Sequence, residues 1–214
     1  MKIVYAGTPR FAVAPLKKII GEGYGVAGVV VQPDKPQGRK GILAPPPVKA
    51  FALERGLTVF QPQKIRAETD ALKALGGDIL ITCAYGQILT QEVLDLFPLG
   101  VWNIHASLLP KYRGASPIQS AVLNGERETG VTVMKTALGL DTGDILLSLK
   151  TEIGEKETFG ELSDRLSLLG AEALLKALQS IEKGNFALVK QRDEDAVLTR
   201  KIAKESAKID FSLP

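Results

Sequence analysis

The chain has 214 residues, 45% of them apolar, a formal net charge of +3 and a single cysteine. That length fits one large domain with a sizeable core, and the apolar content excludes disorder throughout. No apolar run is long enough to cross a bilayer, and the opening run Met1–Tyr5 is too short for a signal-peptide core. One thiol excludes an internal disulfide and fits a reducing, cytoplasmic setting. The mild positive charge allows a polyanionic partner without requiring one.

In chain order, the first two thirds alternate strand and helix. Lys2–Ala6 reads as a buried strand ending at Gly7. Pro9 suits the first turn of a helix, and Phe11, Pro15, Leu16, Ile19 and Ile20 fall on one helical face. Val26–Val31 is a second strand, Val48–Glu54 a helix, Thr58–Phe60 a short strand and Ile65–Leu75 a helix. Asp78–Thr82 is a strand, Gln91–Phe97 a helix and Val101–His105 a strand. Such alternation predicts a Rossmann-like α/β fold, a mostly parallel sheet with helices on both faces. Thr129–Lys135 and Ile145–Leu149 flank the turn-rich Gly139–Asp144 and predict an antiparallel hairpin added towards the C-terminus. A long helix follows, opened by a capping box at Thr158 and Glu161 and closed near Gly184. Ala187–Lys190 is β-like. Residues 1–190 therefore read as one domain, and Gln191–Pro214 as a linker or tail. Gln32–Pro47, rich in proline and carrying Lys35, Arg39 and Lys40, reads as an unusually long loop.

Several chemistries lack their residues. The turn after the first strand holds only Gly7 where a dinucleotide fingerprint needs three spaced glycines, and no Gly-Lys-Ser/Thr occurs for a P-loop. One histidine and one cysteine cannot supply the usual zinc ligands, so no metal is expected. Gly-x-Ser-x-Gly is absent. Cys83 could be a nucleophile or a small core residue.

The informative run is Asn103-Ile104-His105-Ala106-Ser107-Leu108-Leu109-Pro110, which contains the only histidine. Asn103 and His105 are two apart at a strand end, so both side chains face one side. Open α/β folds bind ligands at that edge of a parallel strand. Two readings fit His105: a catalytic imidazole, or a histidine merely hydrogen-bonded at a strand end. Asp141, in Gly139-Leu140-Asp141-Thr142-Gly143-Asp144, could be brought beside it or could serve only the turn.

Asn-x-His-x-Ser-Leu-Leu-Pro followed by Leu-Asp-x-Gly-Asp resembles the folate-dependent formyltransferases. Lys111–Gln119, Ala6-Gly7-Thr8-Pro9, Gln32-Pro33-Asp34 and Ala84–Leu89 are similar to the methionyl-tRNA formyltransferase branch, specifically its N-terminal catalytic domain. The resemblance spans nearly the whole chain. It implies a cytoplasmic, metal-free enzyme of translation initiation that takes 10-formyltetrahydrofolate as cosubstrate and initiator methionyl-tRNA as acceptor. A monomer with no membrane partner is expected. Asn103 would stabilise the tetrahedral intermediate, His105 would shuttle protons and Asp141 would orient His105. Tyr85, Gly86, Gln87, Ile88 and Leu89 would line the folate cleft, bordered by Ser107, Leu108, Leu109 and Pro110; ordinary core packing also fits these leucines. Lys35, Arg39 and Lys40 would contact tRNA, although a solvated basic loop has the same composition. Members of the branch continue into a C-terminal β-barrel domain, towards which residues 191–214 would lead. Other acceptors left open are an amino-sugar nucleotide, a purine precursor or another small amine, and water, which would make a 10-formyltetrahydrofolate hydrolase. A noncatalytic folate- or RNA-binding module is the remaining reading.

Overall fold

A computed structural model describes residues 1–37 and 41–208. In chain order its strands are β1 (Lys2–Gly7), β2 (Gly25–Val30), β3 (Lys35–Gln37), β4 (Ile42–Ala44), β5 (Val59–Phe60) and β6 (Ile79–Cys83). They continue with β7 (Val101–His105), β8 (Arg113–Gly114), β9 (Glu128–Lys135), β10 (Ile145–Glu152) and β11 (Leu198–Thr199). The α-helices are α1 (Val13–Gly21), α2 (Pro47–Leu53), α3 (Thr69–Lys73), α4 (Gln91–Leu94), α5 (Pro117–Leu123) and α6 (Phe159–Lys183).

Seven strands form one sheet in the order β10-β9-β7-β6-β1-β2-β5. The five from β7 to β5 are parallel, while β9 runs antiparallel to β7 and β10 antiparallel to β9. The chain leaves β1 for β2 and β5 on one side, then returns to β6 and β7 on the other. That reversal opens a crevice at the C-terminal ends of β1 and β6. This is the mixed α/β sheet predicted from the alternation.

Residue parity along each strand sets the two faces. Ile3, Tyr5, Ile79, Ile81, Trp102 and Ile104 join Leu16 of α1 and Leu162, Leu166, Leu174 and Leu178 of α6 in one core. Val4, Ala6, Leu80 and Val101 join Leu72 of α3 and Val93 of α4 in the other. Burying one such leucine or isoleucine fully contributes about 1.5–3 kcal/mol. The long helix opens as its sequence predicts: the Thr158 hydroxyl accepts the Glu161 N–H, and the Glu161 carboxylate accepts the Thr158 N–H.

Four local expectations need correcting. The helix expected over Ile65–Leu75 is a 3₁₀ turn, Ile65–Ala67, followed by α3, because the backbone of Glu68 leaves the helical region between them (φ −129°, ψ 37°). The helix expected over Gln91–Phe97 is the short α4, which ends at Leu94. The first helix starts at Val13, after a 3₁₀ turn (Arg10–Ala12) that follows Pro9. The stretch Gln32–Pro47 contains the antiparallel pair β3–β4, so it is a hairpin rather than a structureless loop. Of the β-like Ala187–Lys190, Val189 makes an isolated bridge to Ile145.

Residues 191–199 pack back on the domain, and β11 pairs parallel with β8. Among the described residues, no helix is long and apolar enough to cross a membrane.

Candidate active site

Asn103 and His105 share the sheet face of Val101, the face that Trp102 and Ile104 avoid. Thr82 of β6 is in register with Asn103. Its hydroxyl donates to Asn103 Oδ1 at 2.8 Å. That bond fixes the amide oxygen of Asn103, which lines the cavity and carries two N–H donors.

His105 is buried and pinned. Its Nε2 lies 2.8 Å from the Tyr112 carbonyl oxygen. A carbonyl can only accept, so Nε2 carries the proton and the neutral ring keeps its lone pair on Nδ1. Nδ1 lies 3.6 Å from Asp141 Oδ2, beyond hydrogen-bond length. The same carboxylate oxygen accepts the Gly114 N–H at 2.8 Å, which holds it in place.

Bringing Asp141 here requires an unusual path. β9 runs antiparallel to β7, so it ends at Lys135 beside Trp102, near the start of β7. The following loop must double back along the sheet to reach the histidine. Gly143 permits the return, since a Cβ there would collide with the Lys135 carbonyl oxygen.

Among the described residues, the non-glycine residues with positive φ are Ala84 (47°), Tyr112 (62°) and Asp141 (51°). A left-handed residue of this kind costs roughly 1–2 kcal/mol and persists only where its surroundings enforce it. All three lie at this site. Ala84 lines the cavity, Tyr112 supplies the carbonyl to His105, and Asp141 supplies the carboxylate.

The cavity has a volume of about 1040 Å³. Asn103, His105 and Asp141 line it together with residues 84–89 and 136–140, and Arg10, Phe11, Phe159 and Asp164 border it too. The structure therefore brings Tyr85, Gly86, Gln87, Ile88 and Leu89 to the same space as the polar triad. The separated motifs meet there as well: Thr8 Oγ1 and Gln32 Nε2 both donate to the Tyr85 carbonyl, at 3.0 and 3.2 Å. The Tyr85 hydroxyl is buried, and burial pushes its pKa well up, with Glu68 adding to the shift. Ser107, Leu108, Leu109 and Pro110 are not among the lining residues. Their loop is bonded into β9 instead: Leu109 N–H donates to Thr132 Oγ1 at 3.2 Å, and that hydroxyl donates to the Ser107 carbonyl at 2.7 Å.

Cys83 is a core residue. Burial pushes its thiol up to about 12, which leaves no thiolate for nucleophilic attack. Lys35 opens β3 and is exposed, whereas Arg39 and Lys40 lie outside the described residues. The base of that hairpin is anchored: Asp34 accepts from Lys49 Nζ at 2.7 Å and from Gln61 Nε2 at 2.8 Å. Those two bonds, the Lys49 one foremost, hold the Asp34 carboxyl below its ordinary range.

Sequence reasoning missed Thr82, the Tyr112 carbonyl, the Gly114 N–H and the 136–140 wall. Thr82 ends a predicted strand and could have been paired with Asn103 once the strand order was known. The Tyr112 carbonyl and the Gly114 N–H are backbone groups, which residue identity does not announce, and the 136–140 wall is brought in by the turn after β9.

Residues 1–178 match the formyl transferase family. The chain belongs to that family. Among curated relatives, the methionyl-tRNA formyltransferase of Ruminiclostridium cellulolyticum is 49% identical over 99% of this chain and 69% of its own length. That of Solibacter usitatus is 47% identical over 100% of this chain and 70% of its own. Solved structures share the fold. A sugar 3N-formyl transferase, WlaRD, determined with dTDP and 5-N-formyl-THF, superposes with a TM-score of 0.70 at 24% identity, covering 93% of this chain and 69% of that one. Glycinamide ribonucleotide transformylase 1 of Symbiobacterium toebii gives a TM-score of 0.73 at 20% identity, covering 89% of this chain and 94% of that one. In this formyl transferase the amide, imidazole and carboxylate converge on one cavity at the C-terminal rim of the sheet.

Proposed function

We propose that the chain transfers the formyl group of 10-formyltetrahydrofolate to the amino group of initiator methionyl-tRNA, in support of translation initiation. One observation carries this reading: Asn103, His105 and Asp141 meet at a single cavity in a chain about half identical to relatives named methionyl-tRNA formyltransferase. Among the alternatives, amino-sugar and purine-precursor acceptors rest only on fold-level likeness at or below 24% identity.

The cavity suits a flat, hydrogen-bonding donor. Its wall mixes apolar residues such as Leu89 and Leu138 with polar ones such as Gln87 and Thr136. The Thr136 hydroxyl lines it, buried and without a partner among the described residues. A pterin edge would supply one. Tyr85–Leu89 are assigned to the folate, while Ser107–Pro110 support the pocket from outside by carrying the loop that ends in the Tyr112 carbonyl.

In the reaction the amine nitrogen bonds to the formyl carbon, and the bond from that carbon to the folate nitrogen breaks. Asn103 N–H donors stabilise the negative charge that gathers on the formyl oxygen. His105 Nδ1 removes the proton from the attacking amine and delivers one to the leaving nitrogen. Asp141 faces the proton gained at Nδ1, and the Tyr112 carbonyl keeps Nε2–H from competing. Lys35, Arg39 and Lys40 are assigned to phosphate contacts with the acceptor stem.

The test is a competition of acceptors. The chain is given 10-formyltetrahydrofolate with methionyl-tRNA, an amino-sugar nucleotide, glycinamide ribonucleotide or water alone. Formylmethionyl-tRNA should be the product. Formylation of another amine, or formate release at a comparable rate without any acceptor, would overturn the assignment.

A further inference from the structure

We propose that Gln191 is a positioning residue for Asp141, and that residues 191–199 form a strap that completes the active site. What the strap serves rests on the function proposed above. The family match ends at residue 178, so this segment lies beyond it.

Gln191 is only 7% exposed, which is unusual for a glutamine. Its Nε2 donates to the Asp141 carbonyl at 2.9 Å and to the Gly143 carbonyl at 2.6 Å. Its Oε1 accepts from Arg113 Nε at 3.0 Å. One amide therefore ties the loop carrying the catalytic carboxylate to the residue that follows Tyr112. Arg113 is itself buried, and its backbone N–H donates to the Val197 carbonyl at 2.8 Å. Thr199 Oγ1 accepts from the Ser116 N–H and donates to the Arg113 carbonyl, each at 3.1 Å.

The strap thus holds both sides of the histidine. Asp141 sits in a left-handed conformation that its surroundings must enforce, and Gln191 clamps its backbone. Gly114 binds the Asp141 carboxylate, and it lies so close to Thr199 that a Cβ would strike the Thr199 carbonyl oxygen. The backbone of Asp141 is bonded directly to Gln191, and its carboxylate reaches Thr199 through Gly114. Partners that orient catalytic groups in this way act on rate through geometry, without touching substrate.

Gln191→Glu tests the clamp in the full chain. It keeps the side-chain size and the acceptor for Arg113, but sets an oxygen against two carbonyls in place of their donor. Turnover should fall about 10- to 100-fold, as for a misplacement of roughly 1 Å at a catalytic group. KM for both substrates should stay within about twofold, because ground-state binding is untouched. An activity-independent measurement accompanies it. His105 is the only histidine, so one imidazole C2–H resonance in proton NMR reports its surroundings, and it should shift in Gln191→Glu and in Gln191→Ala. A folded variant with wild-type kcat and an unmoved resonance would overturn the proposal. So would failure of both variants to fold, since Gln191 would then serve stability alone. If the wild-type chain does not formylate methionyl-tRNA, the functional reading falls, while the resonance comparison still decides the strap.

Discussion

The rim of the sheet and the β3–β4 hairpin are held on opposite terms. At the rim, positions are set by backbone: strand register places Asn103 beside Thr82, a carbonyl holds His105, and an amide N–H holds Asp141. In the hairpin, Ile42 and Leu43 are 64% and 65% exposed, and the side-chain anchors through Asp34 lie at its base. Chemistry demands groups fixed before substrate arrives. Recognition of a large, charged acceptor can be left to an exposed element. Changes at the rim should therefore act on kcat, and changes in the hairpin on KM.

The severest trial of this contrast is His105→Ala or Asp141→Ala. Each should lower kcat by about 10²–10⁴-fold, the usual worth of general acid–base catalysis, while circular dichroism shows the fold intact. A folded variant with near-wild-type turnover would remove the rim from the chemistry. Asn103→Ala should cost about 10²–10³-fold in kcat, the range for one oxyanion donor, with KM for the donor little changed. Lys35→Ala or Arg39→Ala should leave kcat alone and raise KM for tRNA a few-fold. Removing one cation from a phosphate should reduce the log–log salt slope by about 0.7–0.9. Identical salt curves for mutant and wild type would sever the hairpin from tRNA.

The smallest effect belongs to a brace behind the rim. Glu126 accepts from Lys111 Nζ and from the Tyr112 hydroxyl, and these bonds, Lys111 first, hold its carboxyl below the ordinary value of 4.5. A depressed carboxylate stabilises the fold above its unfolded pKa and ceases to do so as pH falls through the folded one. Glu126→Gln should therefore lower thermal stability near neutral pH by less than about 1 kcal/mol, since Lys111 is exposed. That difference should vanish in acid below the carboxylate range. A gap that persists there would mean that packing, and not charge, is lost.

Much of the fold was legible because it obeys local rules. Lys2–Ala6, Val101–His105 and the long helix from Thr158 were readable from apolar period and a capping box, and the structure has them. The Ile65–Leu75 misreading has a backbone cause that spacing does not announce: helical periodicity was present, but Glu68 leaves the helical region and divides the run. At the site, Asn103 and His105 were readable as a pair because strand parity is local. The approach of Asp141 could only be supposed, because it depends on β9 running antiparallel to β7 and on a loop folding back beneath it. Gln191 was hidden altogether. Its role exists only through backbone carbonyls and buried side chains that no spacing reveals.

The three left-handed residues have a practical consequence for anyone wishing to harden this enzyme against heat. Glycine relieves such strain wherever it is placed, so a stability screen would be drawn to all three positions. At Ala84 the exchange removes only a methyl from the cavity wall, whereas at Asp141 it deletes the carboxylate itself. Heat tolerance can therefore be sought at one of these sites without removing a reacting group and must be traded against turnover at another, although the backbone geometry looks alike in both.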